Sequence, residues 1–246
     1  MSRLDWQIGA VVAIAPEAPR VKTFTIRLSQ WSAHRAGQHY DLRLSAPDGY
    51  QTERSYSIAS PPEQTGEIAL TVELIADGEV SGYLHEGVAV GDQLELRGPI
   101  GGYFVWPVWP PDAPLLLVAG GSGVVPLMAM LRHRQRARLL IPAVLLFSVR
   151  APEEVIYQQE LEAMTRADPT FTLLLTYTRQ ALASWAGYRR RVDAAMLAEA
   201  VGRLSGAPQC YVCGPTGLVE NVATLLQAQG LPDDAIRTER FGPTGN

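Results

Sequence analysis

The sequence predicts two domains. Residues 1–108 are expected to form a six-stranded antiparallel Greek-key β-barrel, and residues 109–246 a doubly wound α/β domain with a parallel sheet. Three observations predict this. Up to about Trp109 the chain consists of short strand-like segments separated by turn residues. A proline-dense segment, Pro107–Pro114, follows. Beyond it, continuous apolar runs alternate with helix-like stretches, which is typical of a parallel sheet covered on both faces.

The first half has short segments in which polar and apolar residues alternate, so that one face of each strand is buried. Turn residues such as Ala15-Pro16 and Pro47-Asp48-Gly49 separate them. One short helix, Ser81–Glu86, interrupts the strands and is expected to have Ser81 as its N-cap. Strands at this spacing predict a small closed barrel. The predicted strands are Ile8–Ala15, Lys22–Leu28, Gln38–Leu44, Thr52–Ile58, Glu67–Leu74 and Gln93–Arg97.

The second half alternates buried strands with helices. In such a sheet the ligand lies outside the carboxyl ends of the strands, where the chain order reverses. The predicted strands are Leu115–Ala119, Ala143–Phe147, Phe171–Thr176 and Cys210–Cys213. The predicted helices are Val124–Arg138, Glu153–Arg166, Asp193–Leu204 and Thr216–Gln229.

The segment Arg54-Ser55-Tyr56-Ser57 is the most informative part of the first half. Period-two alternation places Arg54 and Tyr56 on one face of a strand, and Ser55 and Ser57 on the other. A fixed cation beside a flat ring suits a flat, anionic ligand. An edge strand with a solvated arginine and a half-buried tyrosine would explain the same residues without a ligand.

Two glycine turns in the second half each follow a strand and open a helix. Gly120-Gly121-Ser122-Gly123 follows the first strand, and Cys213-Gly214-Pro215 follows the last. Glycines at such a turn let the backbone approach a phosphate, and a helix N-terminus supplies N–H donors and positive potential. A tight turn without a ligand, and a Cys213 that is simply a small buried side chain, are the alternatives.

Arginines follow other strands of the same half. Ser148 and Arg150 end the second strand, Arg179 ends the third, and Arg191 comes shortly after. Each arginine alone is compatible with an ordinary surface position. Together they lie on loops at one edge of the sheet, where arginine forks favour a ribose that carries an additional phosphate.

Composition excludes several classes of function. The net charge is −4 and no basic stretch is interleaved with aromatic residues, so nucleic acid is not an expected partner. The Arg132–Arg138 segment is expected to be a solvated helix face. No run is long enough to cross a membrane, the N-terminus lacks an apolar signal core, and cytoplasmic location is expected. Cys210 and Cys213 are the only cysteines, and the histidines lack ligand-like spacing, so no metal site is expected.

Taken in order, these motifs resemble those of the ferredoxin–NADP reductase superfamily of flavoprotein oxidoreductases. Arg54-x-Tyr56-Ser57 is similar to its flavin signature. The resemblance implies that Arg54 binds the flavin pyrophosphate, that Tyr56 stacks on the isoalloxazine ring and that Ser57 lies near the reactive N5. Gly78-x-Val80-Ser81 is similar to the second phosphate-binding element, and Gly98-Pro99-x-Gly101 to the turn that ends the flavin barrel.

The second half resembles the nicotinamide-nucleotide domain of the same superfamily. Gly120-Gly121-Ser122-Gly123-x-x-Pro126 is similar to its pyrophosphate loop, and Cys213-Gly214-Pro215 to a C-G-P motif whose cysteine stands beside the nicotinamide. The implied catalytic residues are Tyr56, Ser57, Cys213 and Glu239, the last as a proton relay. The implied cofactor-binding residues are Arg54, Tyr56, Ser57, Val72, Gly78, Val80, Ser81, Gly120, Gly121, Ser122, Gly123, Ser148, Arg150, Arg179, Arg191, Cys213, Gly214, Pro215 and Phe241.

Two features differ from many relatives. Two cysteines are too few for a plant-type [2Fe–2S] module. Other relatives end in an aromatic residue that covers the flavin. In this chain Phe241 is expected to contact the flavin, but five more residues, Gly242–Asn246, follow it.

The function predicted from this resemblance is that of an FAD-dependent NAD(P)H reductase. NADPH is favoured as the donor, and NADH is the other candidate. Hydride would pass from the nicotinamide C4 to the flavin N5, and electrons would then pass singly to a separate acceptor such as ferredoxin, flavodoxin or an oxidoreductase subunit. A monomer is expected.

Three alternatives stay open. In a free-flavin reductase the flavin would be a substrate and would be released on gel filtration. A reductase subunit of a larger oxygenase or other oxidoreductase complex would co-purify with its partner. A nucleotide-binding regulatory module would bind NADPH without reducing flavin.

Overall fold

The computed structural model describes residues 4–107 and 112–241, and the chain divides into two compact units. The first unit comprises residues 1–106 and 128–137, and the second comprises residues 107–127 and 138–246. The predicted fold class is confirmed, because the first unit contains an antiparallel sheet of six strands and the second a parallel sheet of five.

The first unit is built from one sheet that closes on itself. Its strand order is β4-β3-β6-β1-β2-β5. Ile58, directly after β4, forms an antiparallel bridge with Leu70 in β5, and this contact joins the two ends of the sheet. The strands are β1 (Gln7–Ala18), β2 (Val21–Leu28), β3 (His39–Ser45), β4 (Gln51–Ser57), β5 (Glu67–Glu73) and β6 (Gln93–Ile100).

Alternating burial explains the barrel core. In β2, for example, Phe24 and Ile26 point inward and are fully buried, while Arg27 is exposed. The expected turn at Ala15-Pro16 is wrong, because β1 continues to Ala18. Pro16 is tolerated within the strand because β6 pairs only with Gln7–Ala10, so no second neighbour needs the missing N–H of Pro16.

Helix α1 (Glu79–Glu86) begins two residues earlier than predicted. Ser81 is not its N-cap, because Gly78 occupies that position. Ser81 lies within the first turn instead. Its Oγ donates to the carbonyl of Gly78 and accepts from the N–H of Ile75, at 3.2 Å in both cases, so the serine links the helix start to the preceding loop.

The second unit contains a parallel sheet with strand order β11-β10-β7-β8-β9. Leu116, Val118, Val144 and Leu146 are buried on one face of this sheet against helices α4 and α5. The strands are β7 (Leu115–Gly120), β8 (Ala143–Val149), β9 (Phe171–Tyr177), β10 (Gln209–Pro215) and β11 (Ile236–Phe241). The helices are α2 (Val124–Arg136), α3 (Gln158–Ala167), α4 (Ala194–Gly202) and α5 (Thr216–Ala228).

Two elements of the second unit differ from prediction. The start predicted for the helix Glu153–Arg166 is wrong. A single 3-10 turn, Pro152–Glu154, is followed by buried residues, and α3 begins only after Tyr157, which has a left-handed φ of 60°. Strand β11 is not predicted by the sequence, and it pairs in parallel with β10 along its whole length.

The Arg132–Arg138 segment is not a uniformly solvated face. Arg134 is 3% exposed, and Arg132 Nη1 donates to the carbonyl of Ala59 in the barrel at 2.7 Å. His133 Nδ1 lies 2.5 Å from a Glu63 carboxylate oxygen. This part of α2 is therefore packed within the first unit. Among the residues described, no helix combines the length and apolar character needed to cross a membrane.

Candidate functional site

The Arg54–Ser57 segment forms the end of β4, and its side chains take the predicted alternating directions. Ser55 donates to Asp41 on the neighbouring strand β3 at 2.6 Å. Tyr56 faces the opposite way and packs against the barrel core. Burial raises the pKa of the Tyr56 hydroxyl to about 12, so the ring is neutral at physiological pH. This half-buried, uncharged ring is suited to packing against another flat ring.

Arg54 is available for an anion. It is exposed, and among the described residues the only hydrogen bond of its side chain is donated by Nη1 to the backbone carbonyl of Glu53, at 2.7 Å. It forms no ion pair with any residue in 4–107 or 112–241. Its positive charge acts on the hydroxyl of Tyr56, so the cation and the ring are close neighbours. Ser57, which ends the strand, is 6% exposed.

Helix α1 provides a second candidate anion site in the first unit. No side chain caps its N-terminus, so the first N–H groups keep the positive potential of a helix start. A Cβ at Gly78 would lie 2.5 Å from Ser81 Oγ, so the close approach of these residues needs glycine. A cavity of about 470 Å³ adjoins this helix start and is lined by Arg20, Ile75, Tyr83 and their neighbours.

Two residues predicted to bind cofactor lie in the barrel core. Val72 and Val80 are each 1% exposed. The carbonyl of Val72 is already hydrogen-bonded to Nε2 of His85, at 3.0 Å. The side chains of both valines therefore pack in the barrel core and do not face a ligand. Because the carbonyl of Val72 is already used, a direct contact with a ligand is left to the backbone of Val80.

In the second unit the predicted glycine turn after β7 packs directly against Cys213-Gly214-Pro215. The turn predicted at Cys213-Gly214-Pro215 is wrong, because these residues are the last three of β10 and α5 begins at the next residue. Gly121–Gly123 forms a 3-10 turn between β7 and α2. A Cβ at Gly123 would lie only 2.2 Å from the carbonyl oxygen of Cys213, so only glycine allows this approach. A Cβ at Gly121 would meet nothing within 4 Å, which leaves that side of the turn open. Ser122 lies in the 3-10 turn, and Gly214 and Pro215 are the last residues of β10.

Cys213 and Glu239 are register partners on β10 and β11. Both cysteines of the chain are free thiols and fully buried. Burial, and then the charge of Glu239, raise the pKa of Cys213 well above its usual value. Burial also raises the pKa of Glu239 to about 7, and its Oε2 is a buried atom without a hydrogen-bond partner among the described residues. The pair is therefore neutral and incompletely hydrogen-bonded below about pH 7.

The carboxyl ends of the strands bring several predicted residues together. Gly120 is the register partner of Ser148. The carbonyl of Arg150 accepts hydrogen bonds of 2.9 Å from the N–H groups of Arg179 and Gln180, so the loops after β8 and β9 are adjacent.

The arginines of this region differ in whether their side chains form hydrogen bonds or ion pairs with other residues. The side chains of Arg150, Arg179 and Arg191 have no hydrogen bond or ion pair with other residues in the described ranges. Arg189, in contrast, donates to the carbonyls of Leu182, Ala183 and Trp185, and Arg190 is 2.5 Å from Asp193. The three unoccupied guanidinium groups are the ones that the sequence singled out.

Phe241 ends β11 as the register partner of Pro215 and is partly exposed. The prediction that no terminal aromatic residue covers the flavin depends on Gly242–Asn246. These residues lie outside the described residues. The described part of the chain contains no group of three or more His, Cys, Asp or Glu side chains placed to hold a metal ion.

Sequence reasoning missed the residues around the cavity near α1. Tyr50 donates from its hydroxyl to Glu79 in α1 at 3.0 Å, and Tyr50 and Tyr83 are exposed aromatic side chains. No motif marks them, because the contact of Tyr50 with Glu79 joins residues that are far apart in the sequence. The only sequence signal is the position of Tyr50 immediately after the Pro47-Asp48-Gly49 turn.

These sites fit the two cofactors that the motifs imply. The barrel unit contains a helix start without a side-chain cap, the exposed Arg54 and the neutral ring of Tyr56, which together supply the donors and the flat surface that FAD requires. The open side of the Gly121 turn and three unpaired arginines suit a phosphorylated nucleotide.

Comparisons with known proteins support this interpretation. The family model of the oxidoreductase FAD-binding domain matches residues 10–105, and that of the oxidoreductase NAD-binding domain matches residues 117–224. A ferredoxin–NADP reductase B of Sorangium cellulosum is 34% identical over 94% of this chain and 96% of its own length. A glycine betaine monooxygenase reductase subunit of Pseudomonas aeruginosa is 33% identical over 95% of this chain.

The chain spans 63% of the length of that reductase subunit. The fold is also that of the FAD/NAD-binding domain of a nitric oxide dioxygenase from Vibrio cholerae, with a TM-score of 0.83, 23% identity, and coverage of 96% of this chain and 99% of that one. With an FAD-binding barrel followed by an NAD-binding α/β unit, and a relative matched over nearly its full length, the chain belongs to the ferredoxin–NADP reductase superfamily.

Proposed function

We propose that the protein is an FAD-dependent NAD(P)H oxidoreductase that uses NADPH in preference to NADH and passes electrons to a separate acceptor. The observation that carries the proposal is that one chain contains both an unpaired Arg54 beside the neutral ring of Tyr56 and a glycine turn packed on Cys213. We assign residues 1–108 to the FAD-binding domain and residues 109–246 to the NAD(P)-binding domain.

The flavin-binding residues have separate tasks. Arg54 holds the pyrophosphate by charge-assisted hydrogen bonds, and the N–H groups of Val80 and Ser81 hold it at the start of α1. Gly78 permits the close approach at this helix start, while its own N–H donates to the carbonyl of Ile75. Tyr56 packs on the ring, and Ser57 donates a hydrogen bond near N5. Bound FAD supplies the chemistry, since it accepts a hydride and returns the two electrons singly.

The nucleotide-binding residues orient the donor. The turn from Gly120 to Gly123 holds the pyrophosphate, and Arg150, Arg179 and Arg191, with Ser148, hold the 2′-phosphate. Cys213 sets the approach of the nicotinamide, with Gly214 and Pro215 beside it at the end of β10. Glu239 holds or releases a proton at its carboxylate, since its pKa of about 7 allows both states at physiological pH.

The acceptor is a separate carrier, such as a ferredoxin or flavodoxin, or a subunit of an oxidoreductase. A reductase subunit of an oxygenase is the second candidate function, because one relative is named as a monooxygenase reductase subunit. We further propose a monomer located in the cytoplasm, where two unlinked cysteines are the ordinary state.

Reconstitution with FAD tests this proposal. The protein should bind FAD, retain it on gel filtration and be reduced by NADPH, with electrons passing to an artificial one-electron acceptor. Loss of FAD on the column would favour the free-flavin reductase. Retained nucleotide without flavin reduction would favour the regulatory module. Stable co-purification with a partner and little turnover alone would favour the reductase subunit.

A further inference from the structure

Residues 58–63 form an exit segment that carries the chain away from Ser57, the last residue of β4. The first three residues of this segment are buried, since Ile58 and Ala59 are 0% exposed and Ser60 is 2% exposed. Because a peptide unit is planar and has a fixed length, a shift at the start of the exit segment displaces Ser57 as well. The contacts that hold the exit segment therefore also determine where Ser57 lies.

The barrel holds the N–H groups at the start of the exit segment. The N–H of Ile58 donates to the carbonyl of Gln38 at 2.9 Å, and the N–H of Ala59 donates to the carbonyl of Ala69 at 2.7 Å. The N–H of Ala69 in turn donates to Ser60 Oγ at 3.0 Å. None of these hydrogen bonds involves the carbonyl of Ala59.

The carbonyl of Ala59 is satisfied by a side chain from helix α2. Arg132 Nη1 donates to it at 2.7 Å, and no other residue in 4–107 or 112–241 donates to this oxygen. A buried carbonyl without a donor costs free energy comparable to a lost hydrogen bond, and a charged donor forms a stronger bond than a neutral one. The guanidinium of Arg132 therefore fixes a backbone group only two residues after Ser57.

The next residue of α2, His133, holds the far end of the exit segment. His133 Nδ1 lies 2.5 Å from a carboxylate oxygen of Glu63. Since an ionised carboxylate only accepts, Nδ1 carries the proton of this hydrogen bond. The His133 ring also meets the fully buried ring of Trp106 edge-to-face, with centroids 5.3 Å apart, and Trp106 is bridged to Ala36 in the barrel unit. Two consecutive residues of α2 thus hold the exit segment at both ends.

We propose that Arg132 is a positioning residue for hydride transfer to the flavin: by holding the Ala59 carbonyl, it fixes the exit segment and with it the Ser57 hydroxyl beside N5. His133 supports the same segment through Glu63. The inference rests on the proposed function, since it needs Ser57 near the N5 of bound FAD. The N–H groups of the exit segment are held by backbone carbonyls, whereas the Ala59 carbonyl depends on one side chain. A substitution of Arg132 should therefore loosen this segment without altering the barrel strands.

The rate of flavin reduction tests the role of Arg132. FAD-loaded protein is mixed anaerobically with NADPH in a stopped-flow instrument. Arg132→Met removes the donor and should slow reduction at saturating NADPH about tenfold, within the roughly 100-fold that a misplacement of about 1 Å can cost, and should leave the KM for NADPH within about twofold. Arg132→Lys keeps a charged donor and should restore part of the rate. Arg136→Met is the matched control, because Arg136 is exposed in the last turn of the same helix, and it should react like wild type.

A double-mutant cycle tests whether Arg132 acts through Ser57. Ser57→Ala should itself slow reduction about tenfold or more, at the low end of what misplacing a reacting group costs. Adding Arg132→Met to Ser57→Ala should slow reduction by no more than about a further twofold, because the hydroxyl that Arg132 positions is already absent. Effects that multiply in the double variant would overturn the proposal, since Arg132 would then support the fold without acting on Ser57.

Amide hydrogen exchange in the flavin-free protein provides a readout that does not depend on activity. Arg132→Met should speed the exchange of the Ile58 and Ala59 amides about tenfold or more, as expected when a charged hydrogen bond to this segment is lost, and Arg136→Met should leave both amides unchanged. Unchanged exchange in Arg132→Met would overturn the proposal, as would an unchanged rate of flavin reduction or a loss of rate that appears only in the KM for NADPH.

A milder variant covers the case in which Arg132→Met does not retain FAD. Glu63→Ala removes the second contact at a side chain that is 34% exposed, and it should slow reduction about two- to threefold, in proportion to a partly exposed pair. This slowing should disappear in the Ser57→Ala background, and its persistence there would overturn the proposal. Failure of NADPH to reduce the wild-type flavin would contradict the proposed function, while the exchange rates would still decide whether Arg132 holds the exit segment.

Discussion

Replacing Glu239 with glutamine should remove a pH-dependent loss of stability. The Glu239 carboxyl is buried beside Cys213, and its pKa rises from 4.5 to about 7 on folding. Between pH 4.5 and about pH 7, Glu239 is therefore still protonated in the folded state but already ionised in the unfolded state. The contribution of Glu239 to the free energy of unfolding is largest below pH 4.5, and it is lost as the pH rises through about 7.

The size of the effect follows from this shift. One unit of pKa corresponds to about 1.36 kcal/mol, so the full shift is on the order of 3 kcal/mol. Between pH 5 and pH 8, linkage gives a loss of about 2.5 kcal/mol in the free energy of unfolding. Glu239→Gln does not titrate, so the variant should gain about that much relative to wild type over the same interval.

Urea unfolding at several pH values measures this difference, with each transition fitted separately because the chain has two compact units. Glu153→Gln is the control, since it removes a carboxylate from an exposed position and should change the free energy of unfolding by less than about 0.5 kcal/mol. A difference between wild type and Glu239→Gln that stays constant from pH 5 to pH 8 would refute the argument that burial holds this carboxyl neutral.

Two further predictions concern residues that we assign to the nucleotide site, one on binding and one on stability. Arg150→Ala and Arg179→Ala should each raise the KM for NADPH about tenfold by removing a charge-assisted hydrogen bond, and should leave the KM for NADH nearly unchanged. Arg166→Ala, in the exposed last turn of α3, is the control, and equal effects on both nucleotides would argue against recognition of the 2′-phosphate. Gly123→Ala should destabilise the protein by about 1–3 kcal/mol in thermal unfolding, because its Cβ would meet the Cys213 carbonyl at 2.2 Å. Gly202→Ala, where a Cβ meets nothing within 4 Å, should be neutral or stabilising, and similar losses at both positions would contradict the proposed close approach.

The sequence predicts well those features that depend on local pattern. The apolar runs of β7, β8 and β10 are buried, as their sequence predicts. The predicted glycine turn after β7 is also present, and Gly123 within it leaves no room for a Cβ. The predicted motifs that meet in the structure are mostly those at strand ends, because parallel strands bring their carboxyl ends to one edge.

The remaining features depend on tertiary context. Strand β11 is Ile-Arg-Thr-Glu-Arg-Phe, in which charged residues outnumber apolar ones, and it forms because an edge strand needs only one neighbour. Ser81 resembles an N-cap, but its hydroxyl binds the loop before the helix. The hydrogen bond from Ser55 to Asp41 depends on the register of β3 and β4, which sequence alone does not reveal.

Anaerobic titration of the FAD-loaded protein with NADPH tests the central claim most directly. The claim is that one chain binds a flavin at Arg54 and Tyr56 and a hydride donor at the Gly120–Gly123 turn. The account predicts that the visible absorbance of bound flavin disappears with one equivalent of NADPH, and returns when a one-electron acceptor is added. Flavin that stays oxidised in the presence of excess NADPH and excess NADH would contradict it.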